Sequence, residues 1–436
     1  MADHFVIQGG RPLKGTVRVR GSKNAASKMM IASLLTDEPC VLENVPFSAE
    51  IDITRELCEN IGSTVSLDTG DAAHRCVIET KCVATSLVPE FSRRNRIPIL
   101  TLGPLLHRSG IAEVPFLGGD PIGHRPIDFH LAALLKMGVK IERKERSWRA
   151  EASHIEGACI AFPFPSVGAT ENVLFTAVLA QGRTVIRNAA VEPEIIATIG
   201  MLRQMGADIA YDVSGREITI EGVRHLRGAR VRVLPDRNEM VSFAAAALAT
   251  GGEVTVHEAT EGYVGRFCEK VREIGGAAEP DGEGIRFFAS GPFRGTAVET
   301  APHPGFMTDW QQPFCVLLTQ AEGESILHET VYEDRFGYVK DLRAMGADIV
   351  VSDECGNASC RLANRTFNHT ARVRGPVRLR GTEITMTDIR AGMAHLIAAL
   401  AAEGESVISG VEHIDRGYEK IDERLRELGA DIKRLV

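Results

Sequence analysis

A short pattern of apolar and polar positions recurs six times along the chain. Each copy runs from a leucine or valine to a glycine preceded by an apolar residue, and a strand-like apolar run follows. The copies are Leu57–Gly62, Leu134–Gly138, Leu202–Gly206, Val271–Gly275, Leu342–Gly346 and Leu425–Gly429. Apolar residues at helical spacing before a glycine are typical of a helix that ends in a left-handed cap. The pattern therefore predicts six helix ends, each followed by a strand.

These copies mark six repeats of similar length. The neighbouring glycines lie 76, 68, 69, 71 and 83 residues apart in a chain of 436 residues. A first strand begins at an x-Gly-small motif such as Lys14-Gly15-Thr16 in every repeat except the second. Alternating strands and helices predict sheets covered by helices, an α/β (α+β) fold. Six repeats divide into two similar domains with a joint near residues 222–234; a solenoid is the alternative, but repeats this long suit compact domains better.

Composition and charge narrow the class of protein. The net charge of −8 disfavours nucleic acid or an anionic membrane as the main partner. No apolar run is long enough to span a membrane, and residues 1–10 lack a signal-peptide core, so we expect a cytoplasmic protein. The nine cysteines are scattered and show no C-x-x-C spacing. We expect reduced, buried thiols rather than a disulfide scaffold or a structural zinc site.

Polar residues concentrate where the first strand of a repeat meets its first helix. Helix N-termini carry unpaired N–H groups and attract anions, although Ser, Thr and Asp there often only cap the helix. Capping is the simpler interpretation for Ser166, Asp236 and Asp388. Lys23 and Arg390 are poor caps and sit unfavourably against the helix dipole. An anion bound between them is therefore the sharper hypothesis.

A second group of polar residues follows the middle strands. Asp120 lies in a Gly-Gly-Asp-Pro stretch, which by itself is a generic turn, and the pairs at 334–335 and 415–416 could be surface ion pairs. Several cations nevertheless stand at these junctions of a net-negative chain: Lys23, Arg96, Arg125, Arg390 and Arg416. They suit a small polyanion. The chain has neither a G-x-x-x-x-G-K-[ST] nor a G-x-G-x-x-G motif, so the residues indicate an anion-binding site with two candidate carboxylates, Asp120 and Asp309.

Six motifs together resemble one enzyme family over nearly the whole chain. They are Gly21–Ala25, Gly118–Pro126, Pro165–Thr170, Pro304–Asp309, Asp388–Gly392 and His413–Tyr418. The set resembles the UDP-N-acetylglucosamine 1-carboxyvinyltransferases, which are enolpyruvyl transferases. The resemblance implies two domains of three βαβαββ units each, an inside-out α/β barrel, with the active site in the cleft between them. We accordingly expect one domain of residues 23–229, with a mobile loop at 110–128, and a second of residues 1–22 plus 230–436.

The resemblance also implies a reaction and roles for individual residues. The enolpyruvyl group of phosphoenolpyruvate would pass to the 3-hydroxyl of UDP-N-acetylglucosamine, by addition and then elimination of phosphate, as the committed step of peptidoglycan synthesis. Lys23, Arg125 and Arg416 match the cations that bind phosphoenolpyruvate, with Arg96 and Arg390 in support, and Asp309 matches the residue that takes the hydroxyl proton. The expected nucleotide-sugar contacts are Asn24, Arg125, Pro126, Ile127, Asp128, Ser166, Val167 and Gly168. Val331 and Arg335 are also expected to bind substrate.

The chain departs from the common family pattern at two positions. Asp120 stands where most members carry a cysteine, and we expect it to act as the proton donor. Its ordinary pKa of about 3.9 would have to be raised by substrate or by desolvation. Because the epoxide fosfomycin alkylates the family cysteine, we expect it not to inactivate this protein. Phe164 stands where many members have a lysine toward the nucleotide phosphates, which weakens the expectation for that contact.

Three alternatives remain open at this point: an enolpyruvyl transferase acting on shikimate 3-phosphate, one acting on another nucleotide, and a catalytically silent paralogue. The retention of Lys23, Asp309, Arg390 and Arg416 together argues against the silent paralogue. We expect no cofactor, no metal and no obligate protein partner, so that the partners are the two small-molecule substrates.

Overall fold

The computed structural model describes residues 3–68, 74–89, 95–119, 125–355, 360–363 and 365–435. These residues form two compact lobes. Lobe 1 contains the described residues of Met1–Arg20, Asp120–Arg125 and Pro235–Val436, and lobe 2 those of Gly21–Gly119 and Pro126–Leu234.

Strands and helices alternate along the described residues as the repeat pattern predicts. The strands are β1 (His4–Gln8), β2 (Lys14–Arg18), β3 (Cys40–Glu43), β4 (Thr64–Asp68), β5 (Arg75–Glu79), β6 (Ile111–Pro115), β7 (Lys140–Arg143), β8 (Ser147–Glu151), β9 (Cys159–Ala161), β10 (Arg183–Arg187), β11 (Asp208–Asp212), β12 (Glu217–Glu221), β13 (Arg230–Arg232), β14 (Glu253–His257), β15 (Gly276–Asp281), β16 (Gly284–Ala289), β17 (Ala297–Glu299), β18 (Gly323–His328), β19 (Asp348–Ser352), β20 (Thr370–Gly375), β21 (Glu383–Thr385), β22 (Glu405–Ser409) and β23 (Asp431–Leu435). The α-helices are α1 (Lys23–Ala32), α2 (Ala49–Ile61), α3 (Leu102–Ser109), α4 (Asp128–Lys136), α5 (Val167–Ala177), α6 (Pro193–Gln204), α7 (Arg237–Ala249), α8 (Glu261–Glu273), α9 (Gln311–Leu318), α10 (Val339–Ala344), α11 (Ile389–Ala401), α12 (Val411–Asp415) and α13 (Ile421–Glu427).

Each lobe contains three sheets among its described strands. Lobe 1 has the orders β15-β16-β14-β2, β17-β18-β20-β19 and β21-β22-β1-β23, and lobe 2 has β13-β3-β5-β4, β11-β12-β10-β9 and β6-β8-β7. Each four-stranded sheet combines one parallel pair with two antiparallel pairs, as β9, β10, β12 and β11 illustrate. The three-stranded sheet belongs to the repeat without the x-Gly-small motif, where a parallel bridge between Leu87 and Glu113 takes the place of a fourth strand. The α/β class is confirmed.

Two first strands pair away from their own repeats. The strand β2, from the first repeat, runs parallel to β14 in lobe 1. The strand β13, from the fourth repeat, runs parallel to β3 in lobe 2. Residues 230–232 thus lie in lobe 2, whereas the predicted boundary assigns residues from 230 onward to the other domain. In the same way Arg125 belongs to lobe 1, whereas the sequence predicts the loop 110–128 as part of the domain of residues 23–229. The remaining domain boundaries stay predictions.

The helices follow the apolar pattern. In lobe 1 the first helices of the three repeats, α7, α9 and α11, pack against one another, and every residue of α7 and α9 is buried. Both helices start with buried polar residues and continue as apolar segments, and a helix buried on all sides belongs inside a lobe. The second helices bury one face, as α8 does through Val264, Phe267, Cys268 and Val271. Among the described residues, none of the helices is long and apolar enough to cross a membrane.

Candidate active site

Three junction residues cap the helices that follow them. Asp236 Oδ1 accepts hydrogen bonds from the N–H groups of Asn238 and Glu239 at the start of α7, at 2.7 and 3.4 Å. Asp388 Oδ1 accepts in the same way from Arg390 and Ala391 in α11, at 2.8 and 3.0 Å. In lobe 2, Ser166 Oγ accepts from Ala169 N at 3.3 Å. Capping, the simpler interpretation of these three residues, is confirmed.

A carboxylate held between two guanidinium groups lies at the same end of lobe 1. Asp309, just before α9, accepts from Arg335 Nη2 at 2.8 Å through Oδ1 and from Arg390 Nε at 3.1 Å through Oδ2. The Asp309 side chain is 18% exposed, against 2% for Arg335 and 8% for Arg390. Two fixed cations therefore orient a carboxylate that still reaches the surface.

Both guanidinium groups stay charged although they are buried. Burial opposes the charge of Arg390, but Tyr418 and Asp309 hold its pKa above the ordinary value. Burial likewise opposes the charge of Arg335, and here Asp309 and Glu329 raise the pKa. The lobe therefore contributes permanent positive charge beside a carboxylate, an arrangement suited to an anionic reactant.

Tyr418 extends this network and had no role in the sequence analysis. Its hydroxyl accepts from Arg390 Nη1 at 2.9 Å and shares a 2.8 Å hydrogen bond with Ser242 Oγ. Burial raises the pKa of Tyr418, so the hydroxyl keeps its proton and can donate to Ser242. The signal in the sequence was its place in the His413–Tyr418 motif, but residue type alone could not pair it with Arg390.

Glu329 is a second residue that the sequence analysis missed. It is fully buried, and its carboxylate accepts from Thr308 Oγ1 at 2.9 Å and from the backbone N–H groups of Val331 and Tyr332 at 2.8 and 3.1 Å. These bonds fix the segment that follows β18 against the residue before Asp309. The backbone of Val331, a predicted substrate contact, is therefore held in place by the Glu329 carboxylate.

Arg125 lies near the same segment. Its guanidinium is 5.9 Å from the centre of the Tyr332 ring, and the Arg335 guanidinium is 5.6 Å from that ring. A cavity of about 720 Å³ in lobe 1 is lined in part by Arg125, Phe336 and Arg343. Lobe 1 thus brings Arg125 and Arg335 to one aromatic ring.

Arg416 is half-buried just after α12, and its neighbour Asp415 pairs with Arg434 at 2.6 Å.

In lobe 2, Lys23 and Asn24 are the first two residues of α1. Lys23 is only 9% exposed and Asn24 is half-buried. The preceding Ser22 is fully buried, makes no capping bond, and its Oγ atom has no hydrogen-bond partner among the described residues. A helix N-terminus without a side-chain cap is a favourable position for an anion.

Gly168, a predicted contact of lobe 2, lies against His130, which the sequence analysis did not single out. Burial and the charge of Arg96 lower the pKa of His130 to about 3, so the imidazole stays neutral. Its Nδ1 atom lies 3.1 Å from Asn172 Nδ2, an amide that can only donate. A Cβ atom on Gly168 would approach the imidazole Cε1 and Nε2 to 3.2 and 3.3 Å. The start of α5 therefore lies against a neutral ring, and the charge of Arg96 helps to keep that ring neutral.

The remaining predicted residues occupy two helix starts. Asp128 is the first residue of α4, with Pro126 and Ile127 immediately before it, and Val167 opens α5 with 36% of its surface exposed. Asp120, the predicted proton donor, lies outside the described residues.

The cysteines differ from the expectation in part: Cys82 and Cys159 are exposed and Cys355 is half-buried, whereas the other six are buried.

Comparison with known proteins places the chain among enolpyruvyl transferases. The sequence profile of the family EPSP synthase (3-phosphoshikimate 1-carboxyvinyltransferase) matches residues 7–425. A UDP-N-acetylglucosamine 1-carboxyvinyltransferase of Protochlamydia amoebophila is 46% identical, covering 99% of this chain and 94% of the relative. The protein of that name from Caulobacter vibrioides is 40% identical, over 99% and 98% of the two chains.

Two solved structures share the fold. The enolpyruvyl transferase NikO from Streptomyces tendae superposes with a TM-score of 0.86 at 23% identity, over 99% of both chains. EPSP synthase from Acinetobacter baumannii superposes with a TM-score of 0.70 at 17% identity, over 100% of both chains. At these identities the likeness establishes the fold alone.

Proposed function

The chain belongs to the enolpyruvyl transferase family, among the UDP-N-acetylglucosamine 1-carboxyvinyltransferases, and on this premise we propose that it transfers the enolpyruvyl group of phosphoenolpyruvate to the 3-hydroxyl of UDP-N-acetylglucosamine and releases phosphate. The geometric observation that carries the proposal is the Asp309 carboxylate held by Arg335 and Arg390. A cytoplasmic reaction at the committed step of peptidoglycan synthesis follows from the same assignment.

The addition step needs a base for the sugar and an acid for phosphoenolpyruvate. C3 of phosphoenolpyruvate takes a proton with the electron pair of the C2–C3 double bond, and the sugar 3-oxygen bonds to C2 as its proton passes to Asp309. The two arginines aim the Asp309 carboxylate through charge-assisted hydrogen bonds of 2.8 and 3.1 Å. We assign the proton donor to Asp120 on the resemblance.

In the elimination step only the proton movement at C3 is reversed, and the sugar oxygen stays bonded to C2. The carboxylate that we assign as the proton donor, Asp120, takes a proton from C3, the C2–C3 double bond forms again, and the bond between C2 and the phosphate oxygen breaks. Phosphate leaves with the electron pair of that bond. Positive charge stabilises both the departing phosphate and the carboxylate of the reactant. For this role we propose Lys23, Arg125 and Arg416, supported by Arg96 and Arg390.

For the nucleotide sugar we propose contacts at the starts of α1, α4 and α5 and on the segment after β18. The free N–H groups at the start of a helix bind phosphate oxygens well. The neutral His130 supports this assignment because it packs under Gly168 and adds no charge of its own. The residues are Asn24, Arg125, Pro126, Ile127, Asp128, Ser166, Val167, Gly168, Val331 and Arg335.

Release of inorganic phosphate tests the proposal. Phosphoenolpyruvate with UDP-N-acetylglucosamine should give release, whereas shikimate 3-phosphate or UMP as acceptor should give none. Asp309→Asn should lower kcat by roughly 10²–10⁴-fold, the usual size of general-base catalysis. Asp348→Asn, an exposed change in the same lobe, is the matched control and should leave kcat unchanged. Release only with another acceptor, or with none, would overturn the assignment.

A further inference from the structure

Four side chains with donor atoms for a divalent metal meet in lobe 1, at one end of the sheet β17-β18-β20-β19. They are His328, Cys355, Cys360 and His369, and their donor atoms all lie within 4.8 Å of one another. His328 is the last residue of β18 and His369 directly precedes β20, while both cysteines belong to the connection between β19 and β20. We propose that these four residues bind one structural Zn²⁺ ion.

The spacing of the donors fits tetrahedral zinc. Zn–S bonds of about 2.3 Å and Zn–N bonds of about 2.0–2.1 Å put neighbouring ligand atoms roughly 3.3–3.8 Å apart. Cys355 Sγ and His328 Nε2 are 3.5 Å apart, which matches a sulfur–nitrogen edge of that tetrahedron. The largest separation in the group, at most 4.8 Å, requires side-chain adjustments of about 1 Å.

Both imidazoles present the nitrogen that a metal needs. His328 Nδ1 is 3.0 Å from Glu299 Oε2, and His369 Nδ1 is 2.7 Å from the carbonyl oxygen of Phe367. Because a carboxylate and a carbonyl accept, each Nδ1 carries the proton and each Nε2 keeps its lone pair. Zinc-bound histidines are oriented in this way by a carboxylate or a carbonyl.

The Nε2 atom of His369 is the independent sign of a missing ligand. It is buried and has no hydrogen-bond partner among the described residues. Buried polar atoms without a protein partner are rare in folded proteins, and a bound ion can satisfy such an atom. Zn²⁺ would accept the lone pair of this nitrogen, and two thiolates with two neutral imidazoles would cancel the charge of the ion.

The ligand set indicates a structural role rather than a catalytic one. All four positions come from the protein, which leaves no open position for water or substrate. The ion would tie the long β19–β20 connection to the ends of β18 and β20. His328 also directly precedes Glu329, which fixes Val331 and Tyr332, so zinc would stiffen the segment next to Asp309. The proposed enolpyruvyl transfer uses no metal, so this inference is independent of the proposed function.

The sequence carried a usable sign of this site. The chain has no C-x-x-C motif, but Cys355 and Cys360 form a C-x4-C pair, within the range of structural zinc sites, and a histidine follows nine residues later. His328 lies 27 residues before Cys355, a separation that only the sheet brings into reach. The expectation that a structural zinc site is absent is therefore replaced by this proposal.

Metal content of the full chain is the direct test. Protein purified without chelator, from cells supplied with zinc, should contain one zinc ion per chain by plasma mass spectrometry. Cys360→Ser and His369→Gln should lose most of it, whereas Cys159→Ser, at an exposed cysteine of lobe 2, should retain it. Zinc-free wild-type protein that stays metal-free when Zn²⁺ is added back would overturn the proposal.

Two measurements on wild-type protein keep the test valid if the variants fail to fold. Replacement of zinc by Co²⁺ should give the strong visible absorption of a tetrahedral thiolate site. Removal of the metal should lower Tm, and Zn²⁺ but not Mg²⁺ should restore it, because a ligand that binds only the folded state stabilises it. A Cys355–Cys360 disulfide in freshly purified protein, or a Tm indifferent to chelation, would refute the site whatever the activity.

Discussion

The Nε atom of Arg390 donates to Asp309 Oδ2 at 3.1 Å, across 81 residues of sequence, while Nη1 of the same guanidinium donates to the Tyr418 hydroxyl at 2.9 Å. A guanidinium is planar with donors at fixed angles, so one side chain sets the positions of both partners. Arg390, at the start of α11, thus orients Asp309, the candidate base of lobe 1.

Arg390→Lys should impair catalysis while it preserves the positive charge. An ammonium cannot reach Asp309 and Tyr418 at once, so the carboxylate loses its orientation. We expect kcat to fall by roughly 10²-fold, the usual size of losing one preorganised donor. Steady-state phosphate release measures it, with Arg372→Lys on the exposed face of β20 as the matched control. Equal kcat values for both variants would contradict the orienting role.

Tyr418→Phe should have a smaller effect that reaches both stability and rate. The ring stays packed, but the buried Nη1 of Arg390 loses its acceptor and Ser242 loses a partner. An unsatisfied buried donor costs about 1–3 kcal/mol. Urea unfolding should show a loss of that size, together with a lower kcat. Unchanged unfolding and kcat would mean that Arg390 does not depend on the hydroxyl.

Fosfomycin should leave the enzyme active. The epoxide reacts with a thiolate, and the sequence has Asp120 at the position of the family cysteine. Incubation with fosfomycin followed by dilution should leave phosphate release unchanged. Asp120→Cys supplies the comparison, since it should gain time-dependent, irreversible inhibition. Inactivation of the unaltered chain would show that another residue is the target.

Gly168→Ala should weaken binding of the nucleotide sugar. The added Cβ would lie 3.2 Å from the His130 ring, which Asn172 holds in place. Such overpacking costs about 1–3 kcal/mol, and part of it should appear as a KM for UDP-N-acetylglucosamine raised roughly tenfold. Gly200→Ala is the control, because nothing lies within 4 Å of a Cβ at that helical position. The same KM in both variants would exclude the His130 contact from binding.

The stability of lobe 2 should fall as the pH rises, because of Glu171. Burial raises the pKa of Glu171 from 4.5 to about 8, with Glu194 and Glu192 adding to the effect and Lys28 opposing it. Between these values the folded chain keeps a proton that the unfolded chain has lost, so the free energy of unfolding decreases with pH. The protonated Glu171 makes its full contribution to stability below about pH 4.5, and this contribution is lost above about pH 8.

Glu171→Gln should remove that pH dependence. The amide is neutral at every pH, so the unfolding midpoint in urea should change less between mildly acidic and mildly alkaline buffer than it does in the unaltered chain. The variant should also be the more stable of the two above about pH 8. Glu145→Gln, at an exposed position of the same lobe, should behave like the unaltered chain. Parallel pH profiles for all three would disprove the buried proton.

The amino-acid sequence alone determined the features that depend on neighbouring residues. The Leu-to-Gly pattern marked the helix ends, and Ser166, Asp236 and Asp388 were identified as helix caps, because a cap bonds to N–H groups two or three residues away. The missing x-Gly-small motif of the second repeat matched a sheet of three strands.

Only the tertiary structure decided the features that depend on distant partners. The exchange of β2 and β13, the bond from Arg390 to Tyr418, and the four donors around His369 each join segments whose separation leaves no periodic trace in the sequence. A side chain of given type can face many partners, and the packing of sheets and helices selects one of them. Local patterns therefore predicted the elements, and packing set the chemistry of the side chains between them.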